Sequence, residues 1–414
     1  MSSPPPPRST GEEPSIEKPK KKRKKPSPAL PQTPESTLVP SLPDDLLISS
    51  FARISRLHYP SLSLVSKSFR SLLTSPVLYE TRSLLGRTES CLYVCLKFYP
   101  DPNPRWFTLC RRPNRALTNS TRKKKKEKPS GHLLLPIRIP NSPRAHWQGV
   151  VTIGSSIYSI GGTSEDLPSS SVWVLDCHCH VWRKAPSMRV ERACPAANVF
   201  DGKIYVAGGV NNFNSSNWIE VFDPKTQTWE SLLCPIVEKC SASVDKTAVI
   251  DGRIIYMFHN ERSVVYSPKE DRWEGRRGLA MTILDLGWAS YSYCVVDNVL
   301  CCFEISAALK WFDFKRQYWI DIEGLKGLPK LAGYSCVKMA NYGGKLAVFW
   351  TKYHRASGYK EKRIFCAVIA IERRKSDDDD DDDDDEEVWG TVEWIDPLLT
   401  VNSSRFECAL AAIV

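Results

Sequence analysis

Five times along this chain a two-residue turn signal introduces an apolar strand. The signals are Gly154-Ser155, Asp201-Gly202, Asp251-Gly252, Asp297-Asn298 and Gly343-Gly344, at intervals of 47, 50, 46 and 46 residues. A Trp follows in each unit, at Trp182, Trp229, Trp273, Trp319 and Trp389. Units of this length are too short to fold alone, and each buries its open face on the next copy. The first two also carry Gly161-Gly162 and Gly208-Gly209, seven residues after the turn and at the end of a short apolar run. A period near ~50 residues with these marks predicts one four-stranded propeller blade per repeat.

The hairpin before each Trp sharpens the alignment. Asp176, Asp223, Ser267 and Asp313 each precede their Trp by six residues, whereas Glu372 precedes Trp389 by seventeen. The excess equals the eleven acidic residues 377–387, so the acidic run is expected as an insertion at a hairpin turn of blade five. Two orphan pieces remain. Residues 92–98 and 106–109 read as an outer strand pair, and residues 406–414 as an inner strand. Pairing them closes a ring of six blades and removes both exposed edges. The expected blade is therefore split, 89–112 with 403–414, and residues 118–131 and 376–387 are loop insertions within a propeller spanning 89–414. The basic run 122–128 falls in the first of these.

Ahead of the repeats, residues 1–40 hold eleven of the thirty prolines and almost no aromatic or β-branched residues. Such a segment cannot bury enough apolar area to offset its ordering entropy, which predicts a disordered tail. Within it Lys20, Lys21, Lys22, Arg23, Lys24 and Lys25 stand between two prolines. This run resembles a monopartite nuclear localisation signal and implies an import receptor as partner. Residues 41–88 read as a small all-α module. Ser41 is a candidate cap, Pro43 suits a first turn, and Asp44 and Asp45 complement the helix dipole. Leu47, Phe51 and Ile54 form one apolar face; Leu62, Val65, Phe69 and Leu72 form a second, expected as one helix. A module this small needs a partner surface.

The stretch Ser41-Leu42-Pro43-Asp44-Asp45-Leu46-Leu47, followed by Leu62-Ser63-Leu64-Val65-Ser66-Lys67-Ser68-Phe69, resembles an F-box. The resemblance implies a Skp-type adaptor, and through it the cullin of an SCF ubiquitin ligase, with Leu42, Pro43, Leu46, Leu64, Val65 and Phe69 against the adaptor. The Trp that the family often has near Ser68-Phe69 is absent. With the Gly-Gly and Trp repeats, which follow the kelch pattern, residues 41–414 resemble the plant F-box/kelch-repeat family. The fold expected is mainly β: a six-bladed kelch β-propeller preceded by the F-box and the tail. The function implied is that of a non-catalytic substrate-recognition subunit, its propeller binding a target protein. Alternatives are a non-ligase kelch scaffold and a kelch-propeller copper oxidoreductase.

Target contacts are expected on long inter-strand connections and blade joins, at Arg189, Arg192, Asn211, Phe213, Arg276 and Arg277. Trp218 reads as strand packing. Cys177-His178-Cys179-His180 aligns with the hairpin turn Pro224-Lys225-Thr226-Gln227, and a tight turn cannot wrap four adjacent side chains round one metal. His259 and His354 are the histidines placed nearest a propeller axis; no phosphate loop or nucleophile motif appears, and no cofactor is expected.

Charge narrows the partners. The formal net charge is +10, from 57 Lys+Arg and 47 Asp+Glu. Setting aside the tail, the basic run and the acidic run leaves +12, which favours acidic target surfaces. No stacking aromatics interleave with the basic runs, so nucleic acid is not expected. No apolar run approaches the ~18–20 residues of a membrane span, and there is no secretory h-region. The chain is expected in the nucleus and/or cytoplasm, with its fourteen cysteines reduced.

Overall fold

Four short helices come first along the chain: α1 (Asp44–Phe51), α2 (Tyr59–Leu62), α3 (Lys67–Leu72) and α4 (Pro76–Leu84), with a 3-10 turn at Arg56–His58. Asp44 and Asp45 occupy the first turn of α1, and Pro76 opens α4 where its missing N–H costs nothing. Phe51, Ala52, Tyr59, Leu73 and Leu78 are buried together, and the Phe51 and Phe69 rings meet edge to face at 4.9 Å. The second apolar face is not one helix. Ser66 adopts extended backbone, and its hydroxyl accepts the Phe69 N–H at 3.0 Å, so a new helix is capped there. Leu64 and Val65 consequently fall in the turn between α2 and α3.

This computed structural model describes residues 42–101, 103–112, 131–139, 142–144, 146–163, 167–258, 262–277, 293–303, 308–331, 337–353, 361–375, 386–402 and 404–414. The tail with Lys20–Lys25, Ser41, the basic run 122–128, His259, His354 and acidic residues 377–385 lie outside them. Residues 44–414 make up one unit; of the other, Met1–Pro43, only Leu42 and Pro43 are described.

Strands β1 (Ser90–Phe98), β2 (Arg105–Arg111) and β3 (His132–Pro136) follow the helices. Blade one holds β4 (Val150–Ile153), β5 (Ser156–Ile160), β6 (Val172–Asp176) and β7 (Val181–Ala185). Blade two holds β8 (Ala196–Phe200), β9 (Lys203–Ala207), β10 (Ile219–Asp223) and β11 (Thr228–Leu232). Blade three holds β12 (Lys246–Ile250), β13 (Arg253–Met257), β14 (Arg262–Ser267) and β15 (Arg272–Arg277). Blade four holds β16 (Tyr293–Val296), β17 (Val299–Phe303), β18 (Leu309–Asp313) and β19 (Tyr318–Asp321). Blade five holds β20 (Lys338–Asn341), β21 (Lys345–Tyr353), β22 (Lys362–Lys375) and β23 (Glu386–Val401). The last strand, β24 (Ser404–Ile413), joins β1, β2 and β3 in the order β24-β1-β2-β3 and closes the sixth blade.

The turn signals do what their residues require. Asp201, Gly202, Asp251 and Gly252 all have positive φ, the condition for a two-residue hairpin matched to strand twist. Gly209 is needed twice over. Its φ is +77°, and an added Cβ would lie 2.6 Å from the Ala193 carbonyl oxygen. In blades one to four the second hairpin has a four-residue turn, closing at Asp176–Val181, Asp223–Thr228, Ser267–Arg272 and Asp313–Tyr318. In blades two to four the following Trp packs on its cross-strand aromatic neighbour: Phe222 with Trp229 at 4.9 Å and Tyr266 with Trp273 at 4.4 Å, both tilted, and Phe312 with Trp319 edge to face at 5.2 Å. Cys301 and Cys302 point into different core clusters, as alternation along a strand demands.

Two expectations need correcting. The split blade does not stop at residue 112: its outermost strand is β3, a five-residue run lying beyond the basic segment. Blade five also departs from the repeat. Glu372 pairs directly with Trp389, one position out of step with the other blades, and the ladder runs on to Lys375 and Glu386. The acidic insertion is thus carried on a lengthened hairpin. The place opposite Ile371, where a Trp stands in the other blades, is taken by Gly390; Val388 is buried opposite Arg373, while the Trp389 ring lies under Arg374 and donates to Glu387 at 3.0 Å.

Glu89 joins the helices to the closing blade. Its backbone pairs with Val414, N–H to carbonyl in both directions at 2.9 Å. Its carboxylate accepts from the Ser55 hydroxyl at 2.8 Å, the Arg56 backbone N–H and the Arg82 guanidinium at 2.8 Å. Arg82 is 2% exposed and also donates to the Ile54 and Arg87 carbonyls. Glu89→Ala would leave that guanidinium buried without its counter-charge. We expect a loss of about 3 kcal/mol in urea unfolding, with α1–α4 becoming protease-sensitive before the blades; an unchanged midpoint would contradict this account.

Candidate interaction surfaces

Each blade is an antiparallel meander, so its two hairpin turns lie on one face of the ring. The connections between second and third strands, and those joining blades, lie on the other. Arg189, Arg192, Asn211, Phe213, Arg276 and Arg277 all belong to this second, loop face by their place in the chain. They do not all face outward. Arg189 and Asn211 are exposed, and Phe213 packs partly on the core between blades two and three. Arg276 and Arg277 end β15, where Arg276 pairs with Ser263 and Arg277 with Arg262.

Arg192 is no surface contact. Its side chain and that of Glu220 are both fully buried, 2.9 Å apart. The guanidinium also donates to the carbonyls of Gly208 at 2.7 Å, Asn217 at 2.7 Å and Trp218 at 3.0 Å. Glu220 in turn accepts the Arg189 N–H at 2.7 Å and the Val190 N–H at 3.2 Å. A charge this deeply buried persists only when paired and fully hydrogen-bonded, and here it locks the join between blades one and two. Trp218 is likewise fully buried, its indole donating to the Ser241 carbonyl at 2.8 Å.

The helical module sits on the turn face. The Cys-His-Cys-His turn, metal-like in the sequence, is its seat. Arg56 donates to the Cys177 carbonyl at 3.0 Å and lies over the Tyr79 ring at 5.3 Å. Tyr79 stacks on His178 at 4.0 Å. The Tyr93 hydroxyl is 3.2 Å from the Cys177 carbonyl and 3.1 Å from His180 Nε2. With His180 in its Nε2–H tautomer, it donates to Tyr93 while Tyr93 donates to Cys177. His180 takes the left-handed turn position (φ +58°) that Gln227 and Gln317 fill in blades two and four. Among the described residues no group of His, Cys, Asp and Glu has the arrangement of a metal site.

The module keeps an unusual surface. Of the fourteen large hydrophobic residues exposed among those described, seven lie between Leu42 and Leu85, a concentration of open apolar side chains in one short stretch. Leu42 (60%), Leu46 (56%), Leu64 (79%) and Val65 (64%) are the four of these expected against an adaptor. Pro43 is also exposed, whereas Phe69 is half-buried against the module's own core.

Comparison with known proteins agrees with both halves of this architecture. The family described as "FKB95, Kelch-repeats domain" matches residues 106–399, and the F-box domain family matches residues 39–81. One F-box/kelch-repeat protein of Arabidopsis thaliana is 54% identical over 400 residues, covering 94% of this chain and 97% of the relative. A second is 48% identical over 386 residues (92% and 93%), and a third 49% over 374 residues (89% and 93%).

Protonation should test the seat. Burial, with the Arg56 guanidinium nearby, holds the His180 imidazole well below its usual value, at about 4, and burial lowers His178 as well. Both must be neutral in the folded state but would take up a proton when unfolded below about 6.5. The His180 contribution is therefore complete above that pH and is lost progressively as pH falls toward 4, with His178 acting in the same direction. Urea midpoints should drop between pH 7.5 and 5, and His180→Gln should flatten that slope while folding normally. An equal slope in the variant would exclude the histidine.

Proposed function

Because this chain belongs to the F-box/kelch-repeat family, we propose that it is the target-recognition subunit of an SCF-type cullin–RING ubiquitin ligase. The observation that carries the adaptor half is the concentration of exposed apolar side chains in the helical module, whose own core is complete without them. They are the area a Skp-type adaptor would bury, and an adaptor would in turn bring the cullin. The target half rests on the two faces of the ring. The module occupies the turn face, leaving the loop face open to a second protein. The subunit itself performs no chemistry in this scheme. It holds a target lysine near the transfer machinery, so that proximity and orientation replace a chance encounter. The Glu89 and Arg56 contacts suit that task, because a module swinging on a loose tether would not hold such a geometry.

The tail supports a nuclear assignment: Lys20, Lys21, Lys22, Arg23, Lys24 and Lys25 match an import signal and would engage an import receptor.

Two experiments test these statements. Leu42→Ala with Pro43→Ala should weaken adaptor binding at least tenfold by calorimetry, with the melting temperature unchanged. Full affinity in the double variant would defeat the interface. Replacing Lys20–Lys25 by Ala should move a fluorescent fusion out of the nucleus, and undiminished nuclear signal would remove the import reading.

A further inference from the structure

Beneath the helical module, where it faces the closing blade and the turn of blade one, lies a cavity of about 220 Å³. Tyr59, Leu73 and Tyr79 from the helices and Leu109 from β2, all buried, give it apolar walls. Two guanidiniums, Arg56 and Arg70, also line it, and the one carboxylate among its described lining residues is Glu89. That carboxylate is already matched by Arg82 at 2.8 Å, a cation outside the lining. Asp176 does not line the cavity and accepts the His178 N–H of its own turn at 2.8 Å. His178 and His180 complete the wall uncharged, since burial lowers both imidazoles from their usual value. Neither lining guanidinium is paired with a carboxylate among the described residues. Arg56 Nη2 donates to the Cys177 carbonyl at 3.0 Å, Nη1 reaches the Cys91 thiol at 3.8 Å, and the group lies over the Tyr79 ring. Arg70 donates to one oxygen, the Ser63 carbonyl, at 3.3 Å. A guanidinium carries five N–H donors, so the half-buried Arg56 keeps donors that no oxygen of the described residues takes up.

Size and lining together decide what can enter. A cavity that holds benzene measures ~150 Å³, and pockets for drug-sized ligands run to ~300–1,000 Å³. This one lies between them and admits a molecule of about ten non-hydrogen atoms. Its walls suit a flat apolar body, and its uncompensated cations suit an anionic head. We propose that the cavity binds a small organic acid, an aromatic ring bearing one carboxylate, with Arg56 as its principal counter-ion and Arg70 as the second. Charge-assisted hydrogen bonds from a guanidinium to a carboxylate are about twice as strong as neutral ones, and the walls exclude the water that would compete. Bound there, the acid touches the helices, the closing blade and blade one at once, and so braces the module on the ring. The lining includes none of the residues offered to an adaptor or to a target, so the site stands whether or not the ligase reading holds.

The probes are 3-phenylpropionate, its uncharged amide and acetate, each titrated into the purified full chain by calorimetry. Neutral pH and about 150 mM sodium chloride keep the acids ionised and screen distant surface charges. The phenylpropionate should bind one to one, at least tenfold tighter than the amide, which lacks the charge, and than acetate, which lacks the ring. Arg56→Gln and Arg70→Gln should each lose about tenfold in affinity, while Arg253→Ala, an exposed cation elsewhere on the turn face, should lose none. Arg56 also fastens the module to Cys177, so Arg70→Gln, whose guanidinium holds a neighbouring carbonyl alone, decides the matter if the first variant fails to fold. Saturating phenylpropionate, but not the amide, should slow protease cutting of α1–α4, because a ligand that binds the docked module stabilises the docked state. Phenylpropionate bound no better than its amide, or no better than acetate, would overturn the proposal. So would full affinity in Arg70→Gln, an equal loss in Arg253→Ala, or no saturable binding up to about 10 mM.

Discussion

A single carboxylate, that of Glu89, ties together two parts of the chain that have little else in common. On one side it gathers Ser55, the Arg56 N–H and the buried Arg82 guanidinium from the helical module. On the other its backbone pairs with Val414 beside the closing strand. Arg82 cannot be left in the interior without this partner, because an isolated charge there costs several kcal/mol. The module is therefore fastened to the very blade that completes the ring, and its orientation follows from the closure. Arg56 extends the attachment sideways to the Cys177 carbonyl in blade one, so two neighbouring blades hold the helices.

That placement divides the labour of the molecule. In blades one to five the meander sends the turns joining first to second and third to fourth strands to one face, and the second-to-third connections and blade joins to the other. The helices take the turn face, and the lengthened β22–β23 hairpin leads to that same face. Arg192 shows the other side of the division: although it belongs to a loop-face connection, it is spent on joining two blades.

The blades were legible in the sequence because their signals are local. A two-residue turn needs positive φ, so Asp-Gly pairs mark it wherever it occurs, and a Trp at a constant distance marks the strand stacked beyond it. Where local signals conflict with register, the reading slipped. Glu372 and Trp389 keep the expected spacing once the insertion is removed, yet their direct pairing puts Gly390 in the place opposite Ile371. The outermost strand β3 was missed because five residues between a basic run and a proline-rich stretch carry no period. Capping at Ser66 was present in the sequence but outweighed by an apolar spacing that continued through it. The seat at His178 and His180, and the burial of Arg192, could not be read at all: each depends on a contact between residues far apart in the chain.

The order in which the ring is assembled follows from where its last strand lies. Strands β1, β2 and β3 are among the first to leave the ribosome, but the partner of β1 is β24, whose pairing Cys95–Cys408 spans most of the chain. At ~5–20 residues per second, synthesis of the intervening three hundred or so residues occupies roughly 15–60 s. Throughout that interval β1 presents an unpaired edge rich in apolar side chains. The nascent chain thus passes through an open stage, in which its earliest blade waits for the ten residues of β24.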